Sequence, residues 1–210
     1  MQQDSSNAGK NPSVFSRRGF LKGAGAAVAA TGVLGAAALP TDARSSEPTT
    51  VKADEVVPLR FTLNGKSVEV KVRTGYTLLE TLRDHLDTTG PKLACDYGAC
   101  GACTVLLDGT AVNACLVLAV ECAGRKVETV EGLEQGGKLH PIQEAFMAED
   151  AMQCGFCTSG MLMSCKALLD RNAHPSRNET ADALAGNICR CGTYFNIYKA
   201  VDRVAKSGGK

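Results

Sequence analysis

A chain of 210 residues with 44% apolar and 21% charged residues is long enough to bury one or two real cores and has an ordinary globular composition. Its net charge of +1 removes the electrostatic case for a nucleic-acid partner. Setting aside residues 1–43, which carry four basic and two acidic groups, only turns that charge to −1. The unusual count is ten cysteines.

The amino terminus has the pattern of an address. Ser16-Arg17-Arg18-Gly19-Phe20-Leu21-Lys22 precedes an Ala/Gly-rich run from Gly23 to Leu39. A paired-arginine region, a weakly apolar stretch and a small-residue zone ending at Ala38 or Ala43 predict a twin-arginine signal over residues 1–43. The run is mostly Ala and Gly and falls short of the ~20 apolar residues that span a bilayer, so no membrane anchor is expected in the mature form. Gly23-Ala24-Gly25 begins like a dinucleotide fingerprint, but no strand precedes it. The expected location is the periplasm, reached already folded, which would spare the cysteines oxidation on the way. Residues 44–57 are polar, without periodicity, and predict a linker.

A first domain is expected over 58–132. Apolar and polar residues alternate from Pro58 to Val72 on both sides of Asn64-Gly65, a strong hairpin signal. Leu78, Leu79, Leu82 and Leu86 then share one helical face, with Thr77 placed to cap it. Cys103–Leu107, Asp108-Gly109 and Ala111–Val120 predict a second hairpin, and Val127–Val130 a last strand. Between helix and hairpin, Cys95, Cys100, Cys103 and Cys115 read C-x4-C-x2-C and then a fourth cysteine after eleven residues. That is the spacing of a plant-type [2Fe–2S] loop, and it departs from the paired knuckles of structural zinc. Gly98 and Gly101 lie between ligands, where the backbone must turn its N–H groups toward sulfur.

Helical patterns replace strands over 133–205, with candidates at Ile142–Ala148, Gly160–Arg171, Thr180–Ala185 and Tyr194–Lys206, and a tail at 206–210. His140-Pro141 suits a helix start. Cys154 and Cys157 precede the second helix, while Cys189 and Cys191 follow the third, so a small bundle would gather them at one end. This spacing alone leaves three chemistries open: a second [2Fe–2S] cluster, zinc, or disulfides crossing between the pairs. Cys122 and Cys165 remain over, and their apolar surroundings suit buried small residues. No serine elbow, P-loop or paired-carboxylate pattern occurs, so no catalytic residue is expected and the chemistry is electron transfer.

With CDYGACGACTV, QCGFCTSG and GNICRCGTY in that order, the chain resembles the iron–sulfur subunits of the molybdenum hydroxylase, or xanthine oxidase, family over about residues 58–205. The signal, Thr158-Ser159-Gly160 and Cys191-Gly192-Thr193-Tyr194 bring it nearest the periplasmic aldehyde oxidoreductase branch. Many relatives have TPG and CRCTGY at those two places. The resemblance implies an α+β fold: a β-grasp ferredoxin domain followed by a four-helix-bundle domain. It implies two [2Fe–2S] clusters, the first on Cys95, Cys100, Cys103 and Cys115 toward a flavin, the second on Cys154, Cys157, Cys189 and Cys191 toward molybdenum. It also implies that Gln153 and Cys191 contact the pterin of a molybdopterin cytosine dinucleotide. That cofactor would sit in a large subunit, with FAD in a medium one, forming a heterotrimer that oxidises aldehydes, aromatic ones in particular, to carboxylic acids. An enzyme of N-heterocycles or carbon monoxide, and a stand-alone exported ferredoxin-like carrier, are the alternatives.

Overall fold

The structure is a computed structural model that describes Lys52 and residues 54–208, so the expected export signal and most of the linker lie outside the described residues. Strands β1 (Val56–Leu63) and β2 (Lys66–Arg73) pair antiparallel in the predicted hairpin. Its turn residues Asn64 (φ 49°) and Gly65 (φ 79°) both occupy the left-handed region, as the tightest hairpin turns require. β3 (Thr104–Leu107) and β4 (Thr110–Asn113) repeat the device around Asp108 and Gly109. β5 (Lys126–Glu128) joins the hairpins: it runs parallel to β1 and antiparallel to β3, giving the sheet order β2-β1-β5-β3-β4.

One helix packs across this sheet. α1 begins at Leu78–Glu80, where the Thr77 hydroxyl accepts from the Glu80 N–H at 3.2 Å and Glu80 accepts from the Thr77 N–H at 2.7 Å. It then widens into a π-helical turn at Thr81–His85, which the sequence pattern does not announce. Leu78, Leu79 and Leu82 are buried against Leu59, Phe61, Val72, Val105, Leu107 and Val127. Each such side chain contributes about 1.5–3 kcal/mol on leaving water. Sheet and helix together form a β-grasp.

Four further helices share a second core: α2 (Pro141–Ala148), α3 (Thr158–Arg171), α4 (Arg177–Leu184) and α5 (Tyr194–Lys206). α4 starts three residues before its expected position because Ser176 and Glu179 cap each other's backbone N–H groups. α3 starts two residues early, directly behind Cys157. α5 has the expected bounds, so Lys206 belongs to the helix and not to the tail at 206–210. Among the described residues no helix is long and apolar enough to cross a membrane.

The two cores meet at β3, whose four residues are all buried. Val105 and Leu107 face the β-grasp core, whereas Leu106 belongs to the helical one. Alternation along a strand lets one element serve both. A second tie is Asn64: its side chain accepts from the Thr129 N–H at 2.8 Å and donates to the Thr129 hydroxyl at 3.0 Å, pinning the chain where it leaves the sheet.

His140 caps α2, its Nδ1 accepting from the Ile142 N–H at 3.3 Å with Pro141 in the first turn. Burial first, then the nearby Lys166 ammonium, hold its pKa below the ordinary value, with Asp170 and Glu128 opposing. The unfolded chain therefore takes up this proton first as pH falls. The associated stability is present above the ordinary histidine value of about 6.5 and is lost as pH drops through that value toward the folded one. Urea midpoints of the loaded protein should fall between pH 7.5 and 5.5, and less so in His140→Asn, which caps without titrating. An equal fall in both would place the effect elsewhere.

Candidate metal centres

The C-x4-C-x2-C loop and the start of the second hairpin bring Cys95, Cys100, Cys103 and Cys115 into one neighbourhood. The thiols of Cys95 and Cys100 lie close enough to influence each other's protonation, as do those of Cys103 and Cys115, and Cys100 also acts on Cys103. In the helical half the pairs are Cys154 with Cys191 and Cys157 with Cys189. Cys154 and Cys189 link one pair to the other. All ten cysteines are free, so disulfides crossing between the pairs do not form, and Cys122 and Cys165 are buried and separate.

Each group combines favoured and disfavoured thiolates. The Tyr97 N–H holds Cys95 down to about 6, aided by Cys100 and the Ala99 N–H against the pull of burial. The Phe156 N–H, then the Cys191 thiol, likewise lower Cys154. Burial pushes Cys103 up to about 12, and burial followed by the Cys189 thiol does the same to Cys157. At Cys189 burial is the largest single influence and raises the value. The Thr193 hydroxyl and N–H with the Cys157 thiol outweigh it, leaving about 7.

This donor set fits iron–sulfur clusters. A buried thiol near 12 loses its proton only when a metal cation replaces it. Within each group the four cysteines fall into two neighbouring pairs. Such pairs would suit a cluster of two irons that each take two thiolates. Ser159 supplies an independent sign. Two residues beyond Cys157, its hydroxyl is buried and is the one such side-chain polar atom among the described residues without a partner.

Glycine makes room where the loops turn. Gly98 (φ 78°) and Gly101 (φ 68°) lie in the left-handed region, and a Cβ on Gly101 would come within 2.5 Å of the Gly186 carbonyl oxygen. The two loops are also bonded directly. Ile188 N–H donates to the Cys100 carbonyl at 2.9 Å, so one hydrogen bond and one peptide unit separate Cys100 from Cys189. Buried Asn187 donates to the Gly101 carbonyl (3.0 Å) and the Thr104 hydroxyl (3.2 Å) and accepts from Ser164 (2.7 Å). The Tyr194 hydroxyl accepts from the Cys189 N–H at 2.8 Å and donates to the Asn187 carbonyl at 3.0 Å. Sequence reasoning missed Asn187, Thr193, Tyr194 and Gly160; their adjacency to CxC and CxxC was the available signal. Gln153 lies exposed directly before Cys154, and Cys191 is half-buried.

Residues 61–131 match the 2Fe-2S iron-sulfur cluster binding domain family, and residues 129–202 match the [2Fe-2S] binding domain family. The aldehyde oxidoreductase iron–sulfur-binding subunit PaoA of Escherichia coli is 43% identical over 176 residues, covering 77% of both chains. The chain belongs to the iron–sulfur subunits of the molybdenum hydroxylases. The nicotine 6-hydroxylase small subunit of Paenarthrobacter nicotinovorans is 45% identical over 163 residues, 77% of this chain and 98% of that one. In the crystal structure of quinoline 2-oxidoreductase from Pseudomonas putida 86, one chain superposes with a TM-score of 0.68 at 40% identity, over 74% of the present chain and 99% of its own length. As a member of this family, the protein has the iron–sulfur electron-transfer role.

Proposed function

We propose that this subunit relays electrons from a large subunit that bears molybdenum to a medium one that bears FAD, within a periplasmic heterotrimer that oxidises aldehydes, aromatic ones in particular. The observation that carries the relay reading is the single hydrogen bond from Ile188 N–H to the Cys100 carbonyl, which couples the two cysteine groups. When bound, the [2Fe–2S] clusters supply one-electron carriers whose potentials follow hydrogen bonding and exposure. The chain's own residues fix the spacing: Asn187 clamps the loops together, and Gly101 and Gly160 let their backbones touch.

Two exposed apolar collars suit two partners. Leu93, Tyr97 and Leu116 adjoin the first group's cysteines, while Met152, Phe156 and Ile188 adjoin the second's. We assign the first collar to the flavin side and the second, with Gln153 and Cys191 as pterin contacts, to the molybdenum side. The helical half is read as a four-helix bundle presenting its cysteines there. Ser16–Lys22 supports export by the twin-arginine route, and the likeness to PaoA supports an aldehyde substrate.

The similarity to the nicotine and quinoline enzymes favours an N-heterocycle as the second reading. The test is to isolate the complex from periplasmic and cytoplasmic fractions, assay molybdenum and flavin, and follow bleaching of the visible absorption. Molybdenum, flavin and rapid bleaching by benzaldehyde in the periplasmic fraction are expected. Bleaching by quinoline alone would move the assignment to heterocycles, and iron without molybdenum or flavin would overturn the relay between two partners.

A further inference from the structure

The Thr193 hydroxyl lies 3.1 Å from the sulfur of Cys189, and both residues are buried. Thr193 is the N-cap of α5, a place where threonine ordinarily accepts a backbone N–H. Here it does not: its backbone (φ −74°, ψ 6°) leaves the extended region that capping requires, and the side chain makes no capping bond. Its hydroxyl is committed to sulfur instead. A metal-bound thiolate carries no proton, so in the loaded protein the hydroxyl must be the donor and Cys189 Sγ the acceptor.

We infer that Thr193 tunes the reduction potential of the second cluster, an inference that rests on Cys189 being one of its ligands. Reduction adds one electron and no proton, making the cluster one unit more negative. A donor aimed at a ligand sulfur is attracted more strongly to that form than to the oxidised one, and burial strengthens the difference. Removing the hydroxyl therefore makes the second cluster harder to reduce. The first group has no counterpart. Backbone N–H groups reach the sulfur of Cys95, and among the described residues Thr193 is the only hydroxyl-bearing side chain bonded to a cysteine sulfur. The device acts on one centre, and so on the difference between the two.

Potentiometric titration of the complete complex, followed by electron paramagnetic resonance of each cluster, tests this. Thr193→Val keeps shape and burial and removes only the donor. It should shift the oxidised-to-reduced ratio of one cluster roughly tenfold toward oxidised, about 59 mV for one electron, and leave the other cluster in place. Thr193→Ser should retain the wild-type value. If Thr193→Val fails to load iron, Thr193→Ala, which vacates space instead of filling it, takes its place. Full iron content with an unmoved potential, or an equal shift in Thr193→Ser, would overturn the inference. Failure of the relay reading appears differently, as absent molybdenum or flavin with this shift intact.

Discussion

Cys157→Ser should yield a protein holding half of the wild-type iron. The position is half-buried, and burial already holds its thiol near 12, so only a metal cation makes the thiolate there. A serine hydroxyl resists deprotonation still more and offers a hard oxygen where iron–sulfur clusters take soft sulfur. The loss should stay local. Cys95, Cys100, Cys103 and Cys115 pair among themselves, and none pairs with Cys157. Iron per protein and the number of paramagnetic signals after dithionite reduction measure the outcome. Turnover of the complex should stop while substrate still binds the large subunit. Full iron with both signals would show that Cys157 is not a ligand.

The second large effect is expected at Gly160, in the first turn of α3. A Cβ placed there would collide with the backbone carbonyl of Gly101, next to Cys100. Neither side yields easily: one is a helix, the other a loop held by Asn187 and Ile188. Overpacking of this kind costs roughly 3 kcal/mol. For a domain of this size that lowers Tm by roughly 6–12 °C. Gly124→Ala is the control. Gly124, unlike the helical Gly160, is left-handed (φ 71°) but has open space around it, so only about 1–2 kcal/mol of backbone strain applies. Scanning calorimetry of the loaded proteins should rank Gly160→Ala well below Gly124→Ala, and equal losses would remove the clash as the cause.

Local chemistry explains which parts of the fold the sequence disclosed. Asn64-Gly65 and Asp108-Gly109 specify their turns through residues that tolerate positive φ, Thr77 marks a helix start by capping, and Pro141 marks another by its fixed φ in the first turn. The cysteine spacing revealed both candidate centres because several ligands lie within a few residues of one another. Features created by tertiary contact stayed hidden. Gly186-Asn187 reads as a helix break, and nothing local says that Asn187 is buried across the two loops. Thr193 looks like an ordinary cap until its φ and ψ are known. The early start of α4 has a local signal, since Ser176 and Glu179 spell a capping box that a start at Thr180 overlooks. The π-helical turn at Thr81–His85 carries no such signal.

β3 gives the molecule a further property. With Val105 and Leu107 turned to one core and Leu106 to the other, this strand is an internal wall and not a border. Severing the chain after Gly132 would strip the cover from one side of that wall and leave Leu106 in water beside the unpaired partners of Asn187. The ferredoxin-like half is therefore not a detachable cassette, and grafting it onto another protein requires repainting that face with polar side chains first.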